Sequence, residues 1–109
     1  MHALLDFADE LERRSDLCAK AWDEEAEAEN SYDYVHAIAY AKAAADGVAA
    51  TMRAKHADAM PEVVAAHAEF RQAQARARAR KLKFEACQAA SMLQMAYVKQ
   101  MGMQDGGPR

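Results

Sequence analysis

No glycine or proline occurs before Gly47, and none falls between Pro61 and Gly102. Two long stretches therefore lack the residues that most often end a helix. Both are filled with Ala, Glu, Lys, Arg, Gln, Met and Leu, all good helix formers. β-branched residues are few and never alternate with polar ones, so no strand is predicted. Asp46-Gly47 reads as the first stop and Met60-Pro61 as the second, with Pro61 suited to the first turn of a new helix. The expected fold is all-α: a long antiparallel, coiled-coil-like helical hairpin with a short additional helix near the turn. The helices are placed at about 3–45, 48–59 and 62–101, in one domain spanning 1–101, and 102–109 is expected to form a flexible tail. Asn30-Ser31 is the one weak point in the first helix, and whether the helix breaks there stays open.

Heptad spacing supports paired helices. Val63, Phe70, Ala77, Phe84, Ser91 and Val98 recur every seventh residue, with Ala66, Ala73, Cys87 and Met101 three further on. In the first helix Leu4, Leu11, Cys18, Glu25 and Tyr32 share one position, and Phe7, Ala21, Ala28 and Val35 the companion one. Ile38, Ala41 and Ala45 are expected to continue the stripe. Folding the chain near Arg53 sets Cys18 beside Cys87 and Glu25 near Arg80. It also brings the acidic block Asp23, Glu24, Glu25, Glu27, Glu29 and Asp33 opposite the basic run from Arg71 to Lys83.

Much of the apolar content is alanine, which allows close helix approach but buries little area per residue. A chain of 109 residues built this way gains from self-association or a partner, so the hairpin either closes with its short helix or pairs into a dimeric or higher-order bundle. Net charge is −3, which gives no global attraction to nucleic acid or anionic membranes. The opening residues lack the basic-then-apolar order of a secretory leader, and no stretch approaches a membrane span. Two cysteines outside any metal-like spacing read as reduced thiols, so the expected setting is cytoplasmic.

Each candidate surface has a plainer counterpart. Arg76, Arg80 and Lys83 share one helical face, as phosphate contacts require, yet they can equally answer the acidic first helix. No aromatic residue interleaves the run for base stacking. Asp23, Glu24, Glu25, Glu27 and Glu29 could imitate a nucleic acid, or simply form a solvated face. The four histidines show no paired-ligand motif, and neither a metal nor any other cofactor is expected. Trp22 and Tyr40 fall off the main seam and are candidate binding anchors.

The end of the last helix carries more apolar residues than one seam can use. Phe84, Cys87, Ser91, Met95 and Val98 make one stripe, while Leu82, Ala86, Ala89, Leu93 and Tyr97 make a second. Met92 and Met101 add to both. Methionine-rich helical surfaces adapt to partner shapes, so Met92, Leu93, Met95, Tyr97 and Met101 are the expected partner interface. There is no glycine-rich phosphate loop and no triad order, and a slim hairpin offers no small-molecule cavity. A non-enzymatic protein that meets a protein partner, a second copy of itself, or a nucleic acid is the expectation.

A resemblance adds to this reading. The acidic first helix is followed by Tyr34 and Tyr40 among alanines, a glycine-led break, and Val48-Ala49-Ala50-Thr51-Met52-Arg53-Ala54. A long alanine/arginine helix then reaches Ala90-Ser91-Met92-Leu93-Gln94. Over most of its length the chain resembles small helical proteins encoded in bacteriophage early and recombination gene clusters. It departs from them at Met95, where a polar residue is usual. The resemblance implies an accessory role in phage DNA recombination or replication within the host cytoplasm, and transfers no catalytic residues. An inhibitor of a host defence nuclease, anti-CRISPR-like and using the acidic block, is the alternative, and a structural homo-oligomer is a third.

Overall fold

A computed structural model describes residues 2–105, with side chains placed over 6–102. The fold is all-α: α1 spans His2–Ala45, α2 Arg53–Asp58 and α3 Pro61–Asp105, with a 3₁₀ turn at Ala50–Met52 ahead of α2. The two long helices pack antiparallel and the short helix sits at the turn. α1 passes through Asn30-Ser31 without a break. The expected middle helix over 48–59 divides into the 3₁₀ turn and α2. α3 continues through Gly102 to Asp105, beyond its expected end, and the rest of the expected tail lies outside the described residues.

The turn follows from local chemistry. Gly47 adopts φ +84°, a left-handed conformation open to glycine at little cost. The Gly47 N–H donates to Ala44 O at 3.1 Å and the Val48 N–H to Ala43 O at 3.0 Å, the paired bonds of a Schellman motif. Arg53 Nε donates to Val48 O at 2.9 Å and fixes the path into α2. Met60 then caps α3, its carbonyl accepting from Val63 and Val64 N–H at 3.0 and 2.9 Å. Pro61 stands at the first helical position, where no N–H is needed.

The chain divides into two compact units, Ala21–Ala77 and Met1–Lys20 with Arg78–Arg109. In the turn unit, Ala39, Ala57 and Val63 form a buried cluster, with Tyr32, Val35 and Met60 packed against it. Ala21, Ala43, Ala73 and Ala77 are also buried. The expected continuation through Ile38, Ala41 and Ala45 is wrong: these three are exposed, and Ala39 and Ala43 face inward instead. One heptad position runs on from Tyr32 to Ala39, while its companion moves by one residue, from the exposed Lys42 to the buried Ala43. Alanine at the last positions leaves room for a third element.

In the terminal unit, Cys18 and Ser91 are the buried residues among those described, flanked by half-buried Phe7, Leu11, Leu17, Phe84 and Cys87. Cys87 lines a groove with Phe7, Glu10 and Arg14. The alignment is therefore about one helical turn from the one that sets Cys18 beside Cys87. The turn unit shows the same displacement: Tyr32 meets His67 and Phe70, with ring centroids 5.1 and 6.2 Å away. The cause is at the turn. Val63 lies level with Ala39, so α1 runs on past the start of α3, and α2 packs Ala57 into the overhang.

Candidate interaction surface

The partner-facing residues expected at the end of α3 all lie in solvent. Met92 is 66% exposed, Leu93 73%, Met95 57%, Tyr97 59% and Met101 42%. Val98 and Leu82 are exposed too. The cause is geometric: α1 covers one side of α3 here, and that side takes Phe84, Cys87, Ser91 and Gln94. Leu82, Met92, Leu93 and Tyr97 lie on the remaining circumference, where none of the described residues covers them, while Met95 and Val98 continue the stripe of Phe84, Cys87 and Ser91 and are exposed all the same. Monomeric proteins seldom leave such side chains contiguous in water.

Trp22 and Tyr40 are exposed on the turn unit, on one face of α1 five turns apart. Tyr34, and Ile38, which was expected in the stripe rather than on a surface, are exposed on a different face of the same helix. The i, i+4 spacing of that pair was the available signal.

The charged candidates are more dispersed. Arg76, Arg80 and Lys83 are all exposed. Arg76 lines a shallow groove of about 390 Å³ with Glu24, Glu27, Ala28, Ser31 and Glu69, in the turn unit. Lys83 lines the groove that holds Phe7, Glu10, Arg14 and Cys87, in the terminal unit. Carboxylates thus stand near both cations, which lowers their attraction for phosphate. Among the described residues no ion pair joins the basic run to the acidic block. Of that block, Asp23, Glu27 and Glu29 are exposed while Glu24 and Glu25 are half-buried, so the five do not form one uniformly presented row.

Ion pairs occur elsewhere. Arg13 grips the Glu10 carboxylate through Nε and Nη2 at 3.1 and 2.6 Å. This bond holds the Glu10 carboxyl below the usual range and raises Arg13. Arg14 Nε lies 2.6 Å from the same carboxylate but is not aligned to donate to it. His36 Nε2 lies 3.0 Å from Asp58 Oδ1 and links α1 to α2. His36 and His67 both flank the Tyr32 ring. Among the described residues no group of three or more His, Cys, Asp or Glu is arranged to hold a metal ion. No described helix is long and apolar enough to cross a membrane.

Compared with protein-family models, curated proteins and solved structures, the chain matches none.

Proposed function

We propose that this chain is a non-enzymatic interaction protein that engages a protein partner through the end of α3, with Met92, Met95 and Met101 as its adaptable contacts. The observation that carries this reading is the run of large apolar side chains standing in water between Met92 and Met101. Burying such side chains is worth roughly 1.5–3 kcal/mol each, so a partner that covers several gains micromolar affinity or better after the cost of association. By its resemblance to phage-encoded helical proteins, the partner belongs to the DNA recombination or replication machinery and is met in the host cytoplasm. Direct nucleic-acid contact through Arg76, Arg80 and Lys83 is a lesser part of this reading, because each groove that holds one of these cations also holds carboxylates.

The test is quantitative binding of the full chain to purified phage recombination and single-strand-processing proteins. Retained binding by the wild type and loss in Met92→Glu/Met95→Glu, with helicity unchanged, supports the reading. Equal binding by both chains removes it. Single-stranded DNA binding that weakens steeply with salt and vanishes in Arg76→Ala/Arg80→Ala/Lys83→Ala would add the nucleic-acid contact.

A second reading has one observation in its favour. Asp23, Glu27 and Glu29 are exposed and take part in no ion pair among the described residues, as an acidic imitation of a nucleic acid used against a host nuclease requires. Nuclease inhibition that survives Asp23→Asn/Glu27→Gln/Glu29→Gln would defeat it.

A further inference from the structure

We propose that the outward stripe of α3 is the pairing face of a homodimer, with a second copy of this chain packed across it antiparallel about a two-fold axis between Ala89 and Ala90. Leu82 and Tyr97 are each 59% exposed and Leu93 is 73% exposed. Ala86, Ala89 and Ala90 between them are exposed as well. At 3.6 residues per turn these side chains share one face of α3, opposite the half-buried Phe84 and Cys87 and the buried Ser91.

The spacing of the stripe identifies its occupant. Leu82, Ala86 and Ala89 read from one end have the same intervals as Tyr97, Leu93 and Ala90 read from the other. A two-fold antiparallel contact brings each residue against the one equally far beyond the axis. Leu82 then meets Tyr97 of the second copy, Ala86 meets Leu93, and Ala89 meets Ala90. Small residues fall at the centre, where crossing helices approach most closely, and large ones at the ends, where the axes diverge. A parallel self-pair or an unrelated partner demands no such symmetry. At these exposures the stripe offers at most on the order of 500 Å² per copy and about 1,000 Å² for the pair, the area of a weak, concentration-dependent interface.

This inference goes beyond the partner reading above and does not depend on it. Leu93 and Tyr97 pass to the second copy, while Met92 and Met95 lie on other faces of α3 and stay open to a partner, so either idea can fail alone.

Sedimentation equilibrium on the full chain tests the pairing. A dimer is expected at about 100 μM, where an interface of modest area is populated. Leu93→Glu should be monomeric with unchanged helical circular dichroism, and Met92→Glu/Met95→Glu should remain dimeric. If Leu93→Glu loses helicity, Ala89→Arg, at an exposed alanine, supplies the same test. A wild-type monomer at that concentration overturns the proposal and leaves the stripe to a different protein. A dimer that persists in both stripe variants overturns it too. Orientation is read from spin labels on Gln100→Cys in a Cys18→Ala/Cys87→Ala background. Antiparallel pairing sets them roughly 30 Å apart at 1.5 Å per residue, and a separation under about 15 Å would mean parallel pairing and overturn the two-fold arrangement.

Discussion

The turn unit and the terminal unit are made from the same two helices and the same heptad spacing, yet they bury very different amounts of themselves. Around Ala39, Ala57 and Val63 a third element closes the seam, and seven residues of the turn unit are buried. In the terminal unit two helix segments meet without a third, and Cys18 and Ser91 are the buried residues among those described. Two helices can cover only one stripe of each other. The difference teaches that α2, a helix of six residues, changes the seam from a contact into a core. Among the described residues the terminal unit has no third layer, and Leu82, Met92, Leu93 and Tyr97 stand in water there.

The largest effect is expected from Ala57→Glu, which places an unpaired charge at a fully buried site. It should cost about 3 kcal/mol or more, whereas Ala19→Glu, at an exposed site of the terminal unit, should stay within about 0.5 kcal/mol. Equal costs in chemical denaturation would erase the distinction. Next, backbone amides of α1 and α3 in the turn unit should exchange at least about tenfold more slowly than those in the terminal unit, a difference of ~1.4 kcal/mol in opening free energy. Uniform exchange along both helices would mean that the two units open together.

Smaller effects follow at the turn. Gly47→Ala meets no atom within 4 Å but must hold φ +84°, so thermal unfolding should show a loss of about 1 kcal/mol from backbone strain alone. Asp58→Asn weakens the link from α2 to His36 and should cost less than about 1 kcal/mol, as expected for a side-chain hydrogen bond with an exposed partner. The smallest change is expected at Glu10. Its folded pKa is lowered by Arg13, so its contribution is present above the unfolded pKa and is lost as pH falls through the folded one. Glu10→Gln should remove that narrow acid-side dependence and leave neutral-pH stability nearly unchanged, since the pair is exposed and screened by salt.

Much of this fold is legible in the sequence because glycine and proline are so few. Gly47 and Pro61 alone set both ends of the turn, and helix propensity carried α1 across Asn30. The heptad positions of α3 were readable over most of its length: Val63, Ala73, Ala77 and Ser91 are buried as their spacing predicts, but Val98 and Met101 on the same spacing are exposed. The alignment was not readable, because opposed charge blocks, two thiols and the Glu25/Arg80 pair do not fix it. Exposed charges interact weakly at range and tolerate a displacement of one turn. What sets the alignment is the place where Ala57 fits against Ala39, and nothing in composition announces that fit. The exposed run from Met92 to Met101 was legible as surplus apolar residues on a helix with one seam to fill. The His36–Asp58 link was not, since it depends on where a six-residue helix lands.

The interior of the turn unit is built almost wholly from alanine. Such an interior has little volume left to lose, because each of those side chains is already a single methyl group. At those alanines the common large-to-small route to destabilisation is therefore closed, and it stays open at Val63 and the half-buried Tyr32 and Met60 around them. Damage comes instead from gain: an added methylene at position 39, 43 or 57 has nowhere to go without pushing helices apart. Substitutions at these alanines should thus be unequal, with serine mild, glycine costing about 1 kcal/mol through lost helix propensity, and valine or leucine severe.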